Sequence, residues 1–198
     1  MTTPPDNSIY TFLDKCVICE RNQRKTLVVR MDDLDNGSEK LIGIEVTAKV
    51  LKTRTTLEHE WVDLDEFHVE LKNVNEIYVG SQPIDLIHVI DSESPFYELG
   101  KKDLEDPELQ FELLFRLTGS IESTGAPYQV YKSYNPRSIK WGYQFEQFLE
   151  REEDGFYVNG DKIDKIKKVE ISPESQEAKD LEKFLDERHE FEIKSLIK

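Results

Sequence analysis

Residues 41–51 alternate without interruption, and this alternation constrains the fold more than any other feature of the chain. Ile42, Ile44, Val46, Ala48 and Val50 fall on one side of an extended chain; Gly43, Glu45, Thr47, Lys49 and Leu51 fall on the other. A period of two describes a strand with one buried face. Further strand-like runs recur. They are Cys16 to Cys19, residues 26–31, 60–64, 67–71, 84–90, 109–120, 128–134, 139–149 and 155–158. Turn residues separate them, at 21–24 and at Asn36-Gly37 for example. Many short strands with turns between them predict an all-β sandwich rather than alternating strand and helix. Ser92 or Ser94 can cap a turn opened by Pro95, and residues 101–105 can form a short helix before Pro107.

The two ends differ from this pattern. Residues 1–9 are polar and Pro-containing and read as a flexible leader. After Ser172-Pro173 the chain lacks Gly and Pro, and Ala178, Leu181, Phe184, Leu185, Phe191 and Leu196 recur at roughly helical spacing. A C-terminal amphipathic helix over 172–198 is expected, leaving 10–171 as the sandwich domain.

Charge and cysteine content narrow the function. The chain has 198 residues and a formal charge of −15, from 26 Lys and Arg against 41 Asp and Glu. Such a surface repels phosphate backbones, so nucleic acid is a poor partner. No apolar run reaches the roughly 20 residues a helix needs to cross a bilayer, and no signal peptide is visible after Met1. Cys16 and Cys19, the only cysteines, make no disulfide framework, which favours a reducing, cytoplasmic compartment. They form Cys-x-x-Cys, but zinc wants four ligands and no second pair exists. Strand positions three apart also face opposite sides, so two ordinary strand cysteines are expected. His59, His68, His88 and His189 are scattered, and no metal or cofactor is expected. The nine glycines form no phosphate loop, and no Gly-x-Ser-x-Gly occurs. No catalytic residue is assigned, and the chain is not read as an enzyme.

Five strings in order carry a resemblance. Val17 to Asn22 is followed by Lys25-Thr26-Leu27-Val28-Val29-Arg30, and Lys52-Thr53-Arg54 closes the long strand. Ile90-Asp91-Ser92-Glu93-Ser94-Pro95-Phe96-Tyr97-Glu98-Leu99 comes next, then Glu122-Ser123-Thr124-Gly125. Last come Ser133-Tyr134-Asn135-Pro136 and Ile139-Lys140-Trp141-Gly142-Tyr143-Gln144-Phe145. Together, over roughly residues 10–170, they resemble the cytoplasmic domain of inward-rectifier potassium channels, here without the transmembrane pore. The resemblance implies an immunoglobulin-like β-sandwich that assembles four-fold around a water-filled vestibule.

It also implies roles. Glu122 matches the vestibule carboxylate that attracts potassium and polyamines. The family's second acidic position falls near Gly43, and Glu45, two residues on and sharing a strand face with it, is the expected substitute. Gly125, Ala126 and Pro127 stand where the channels place their gating loop, although Pro127 departs from the usual pattern. Ser94 and Pro95 read as a helix start; Trp141 and Gly142 read as a core anchor and a tight backbone position. The bland alternative makes both glutamates ordinary exposed strand residues and residues 125–127 a hairpin turn. The family's basic linker has no counterpart in residues 1–9, and Asp32, Asp33 and Asp35 follow Arg30, which puts phosphoinositide recognition in doubt.

Two functions follow. One is a soluble regulatory and assembly domain, tetrameric and cation-attracting, unable to conduct alone. The other is a free-standing intracellular protein-interaction module of the same fold with no channel role. A lipid-carrying sandwich is a third and weaker reading.

Overall fold

The computed structural model describes residues 9–34, 39–55, 58, 60–72, 82–152 and 155–171. Residues 1–8 of the leader, the Asn36-Gly37 turn, His59, His189 and the expected C-terminal helix lie outside them; Ile9, assigned to the leader, is buried and its carbonyl accepts from Leu34 N at 2.8 Å.

The first sheet comprises β1 (Tyr10–Arg21), β2 (Arg24–Asp33), β5 (Ile84–Val89) and β8 (Ile139–Trp141), in the order β5-β2-β1-β8. A tight turn with Asn22 at φ 52° and Gln23 at φ 63° joins β1 to β2, a left-handed pair that matches the twist of a hairpin. Strand β8 lies parallel to β1, with Cys16 opposite Ile139. The second sheet comprises β3 (Leu41–Thr55), β4 (Trp61–Val69), β6 (Glu112–Ile121) and β7 (Pro127–Tyr134), in the order β4-β3-β6-β7.

The inner faces of the two sheets make the main core. Tyr10, Phe12, Cys16, Ile18, Leu27, Val29, Met31 and Leu86 come from one, and Val46, Ala48, Val50, Leu113, Phe115 and Leu117 from the other. Phe12 and Phe115 meet across the layers with ring centroids 5.9 Å apart. Tyr134 Oη donates to Leu13 O at 2.5 Å, and Tyr128 Oη accepts from Ile9 N and Tyr10 N, so β7 is bonded to β1 as well as packed on it.

The first sheet is covered on its other side too. A small pair, β9 (Tyr143–Phe145) with β12 (Ile166–Lys168), packs Phe145, Tyr143, Ile166 and Val169 against Val17, Cys19 and Val28. Cys16 and Cys19 therefore belong to different clusters on opposite faces, both fully buried and both free. Burial raises both thiols above the usual range. A further pair, β10 (Leu149–Glu152) and β11 (Gly155–Val158), forms a hairpin.

The architecture is the expected all-β sandwich, with three local differences. The runs at 60–64 and 67–71 are one strand, β4. The run at 139–149 is broken at Gly142, whose φ of +73° ends β8 and starts β9. The helix start expected at Ser94-Pro95 is a succession of turns, closed by Tyr97 N to Ser94 O and Leu99 N to Phe96 O, each 3.0 Å. The expected short helix is present as α1 (Lys101–Glu105).

Candidate functional site

The β6–β7 connection is built from its own backbone. Ile121 N donates to Ala126 O at 2.9 Å, and Gly125 N donates to Ile121 O at 2.7 Å. Gly125 has φ +69°, a conformation that a Cβ opposes. Glu122 N donates to Lys40 O at 2.8 Å, and Ser123 Oγ donates to Glu39 Oε2 at 2.7 Å, so the loop is tied to the chain entering β3. Glu122, Gly125, Ala126 and Pro127 are all exposed. As local structure this is a hairpin turn presenting one carboxylate to solvent.

Glu45 is also exposed, on the outer face of the second sheet, opposite Thr118. The route by which the sequence placed it does not hold. The β3–β6 ladder steps from Ile42–Ser120 to Glu45–Thr118, so Gly43 and Ile44 together oppose Gly119. This is a β-bulge with glycine at φ +62°. Period-two counting fails across it: Leu41 is buried and Ile42 is 50% exposed. Gly43 fills a left-handed bulge position with open space where a Cβ would stand. Within one subunit Glu45 and Glu122 do not converge. Four ladder steps separate residues 118 and 122, about 14 Å along the strand.

Ser94, Pro95, Trp141 and Gly142 are placed as framework. Ser94 Oγ accepts from Phe96 N at 3.1 Å. Pro95 O accepts from Lys52 Nζ at 3.1 Å. Trp141 packs half-buried against the main core, with Lys25 Nζ 5.6 Å above its ring. Gly142 N donates to Ile18 O, Gly142 O accepts from Val169 N, and an added Cβ would stand 3.2 Å from Val169 O.

Two buried polar groups escaped sequence reasoning. His88 is 4% exposed, with Nδ1 2.8 Å from Glu70 O and Nε2 2.7 Å from Ser94 Oγ. A carbonyl only accepts, so Nδ1 carries the proton and Nε2 accepts from the serine hydroxyl. Burial lowers the His88 pKa below its ordinary value. The pair has the contact of a nucleophile and its base, but a backbone carbonyl orients the ring and both residues are enclosed. Its phase with Leu86 and Ile90 in an alternating strand was the available signal.

Arg30, 2% exposed, is the other. Its guanidinium lies 4.5 Å from the Phe145 ring and 4.7 Å from the Phe148 ring. Nε donates to Asp85 Oδ1 at 2.7 Å, and one terminal nitrogen donates to Glu146 O and Ile163 O. Arg21 takes the other Asp85 oxygen at 2.8 Å. The Asp85 carboxyl stays below its usual range although burial opposes this, because both guanidinium groups hold it ionised. Among the described residues, no group of three or more His, Cys, Asp or Glu is placed to hold a metal ion.

Against known proteins, residues 10–184 match the family described as inward rectifier potassium channel C-terminal domain. The chain is 31% identical over 151 residues to G protein-activated inward rectifier potassium channel 1 of Bos taurus, Homo sapiens and Rattus norvegicus. Those matches cover 75% of this chain and 29% of each relative. The chain therefore belongs to the inward-rectifier potassium channel C-terminal domain family, a family of channel domains and not of enzymes. It spans under a third of the length of these relatives. Among the described residues no helix is long and apolar enough to cross a membrane.

Proposed function

We propose that the chain is a cytoplasmic regulatory and assembly domain of the inward-rectifier type, with residues 10–171 as its sandwich. Four copies enclose a water-filled vestibule that concentrates cations for a membrane pore, and the domain does not conduct alone. The observation that carries this is the exposed Glu122 at the root of a loop whose Gly125 adopts φ +69°. Gly125, Ala126 and Pro127 then form the gating-loop equivalent, small enough to approach a four-fold axis closely.

One exposed carboxylate is screened by water and binds a cation weakly. Four around a confined cavity share one potential, and their fields add. Glu45, about 14 Å further along the sheet, supplies a second and separate ring. Potassium and polyamines are the cations such rings attract. Phosphoinositide is not assigned to this chain.

Calorimetry with spermine tests the reading. Glu122→Gln should weaken spermine binding to the tetramer about tenfold in moderate salt and leave the melting temperature unchanged. Equal spermine affinity in two proteins confirmed as tetramers would show that diffuse acidity, and not Glu122, draws the cation.

A further inference from the structure

Two cavities of about 430 and 720 Å³ lie side by side and share Asp106, Leu109, Gln110 and Phe111, so they form one groove. It lies at the Glu112 end of β6, while the Glu122 loop follows the other end. Ten strand residues, about 30 Å, separate them.

The apolar part of the floor is Leu99 and Leu109, both half-buried. Beneath them Phe96 and Phe111, 1% and 9% exposed, meet edge to face with centroids 5.8 Å apart and belong to the core. The rim is acidic: Glu98, Asp103 and Glu108 line one half, Glu112 lines the other, and Asp106 lines both. Among the described residues, two cations, Lys52 and Arg137, line the groove. Lys52 is already committed, donating to Pro95 O at 3.1 Å with its ammonium 5.4 Å from the Phe67 ring.

We infer that this groove docks a basic peptide segment of a partner protein, its Lys or Arg side chains meeting the rim and an apolar side chain seated on Leu99 and Leu109. Charge complementarity selects the occupant. A second copy of this chain, acidic overall at −15, offers the rim no net complementary charge. A free polyamine satisfies the rim and leaves the floor unused. A basic peptide with an apolar anchor uses both.

Fluorescence polarisation with a labelled eight-residue peptide of alternating Lys and Leu tests it. Wild type should bind this peptide, and should bind a version with Ser in place of every Leu about tenfold more weakly. Glu98→Gln with Glu108→Gln should weaken the Lys–Leu peptide about tenfold. Both residues are exposed, and thermal melts confirm that the variant folds. Glu170→Gln, an exposed site outside the groove lining, should change binding less than about twofold. No binding, equal binding of the Ser version, equal weakening by Glu170→Gln, or full displacement by spermine would each overturn the proposal. A changed oligomeric mass on neutralising Glu98 and Glu108 would give the groove to a second copy and overturn it as well.

Discussion

Gly142 holds the joint between β8 and β9 with φ +73°, and its missing Cβ leaves room for Val169 O. An alanine there meets two costs. The left-handed backbone costs about 1–2 kcal/mol, and the 3.2 Å approach to a backbone oxygen adds to it. Gly142→Ala should therefore lower the unfolding free energy by about 2 kcal/mol in urea titrations. Gly43→Ala, at φ +62° in open space, should lower it by about 1 kcal/mol. Equal losses at the two positions would mean that the Val169 contact contributes nothing.

His88 makes a residue-scale prediction about pH. Its folded pKa is depressed by burial, so between that pKa and the unfolded value of about 6.5 the unfolded chain binds more protons. The contribution is fully present above about pH 6.5 and is lost as pH falls through the folded pKa. Protonation would set an Nε2–H against Ser94 Oγ, which already accepts from Phe96 N. Glu70 and Asp91 favour the charged ring and Lys72 opposes it, so they moderate the loss without removing it. His88→Gln should flatten the fall in stability between pH 7 and pH 5. A wild-type slope unchanged in the variant would place the proton uptake elsewhere.

At the scale of elements, the alternation of Val46, Ala48 and Val50 was legible because each step of β3 after Glu45 pairs regularly with β6. The Gly43 bulge was not, since an extra residue in a ladder is a property of two strands and the sequence shows one at a time. Cys16 and Cys19 were legible as facing apart, and they do. Residues 139–149 read as one strand because their apolar pattern is nearly continuous, whereas the left-handed Gly142 interrupts the ladder. A hairpin turn at 125–127 was the bland alternative to the gating-loop reading, and the tie of Glu122 N to Lys40 O had no sequence signal.

Arg30 was hidden for a related reason. A cation in a strand is ordinarily read as solvated, and its partner Asp85 is 55 residues away. The pair fastens the β9–β12 layer to the first sheet, since Arg30 also bonds Glu146 O and Ile163 O. Removing one partner of a buried pair leaves an uncompensated charge, a loss of about 3–5 kcal/mol. Asp85→Asn keeps the shape and a hydrogen-bonding oxygen, so about 3 kcal/mol is expected. Hydrogen exchange should show amides of residues 143–168 losing protection while β3 and β6 keep theirs. Uniform loss across the chain would contradict the idea of a separately fastened layer.

The described residues form one sandwich, the chain carries a formal charge of −15, and its proposed work is done by four copies together. The central claim is the assembly that makes Glu122 a ring and not a lone surface carboxylate. Subunits of −15 each repel, and added salt screens that repulsion over a Debye length of about 8 Å at physiological ionic strength. Light scattering across protein concentration, at low and at high salt, measures the claim directly. The account predicts a mass four times that of the subunit, reached at lower protein concentration as salt rises; a monomer at every concentration in both salts would contradict it.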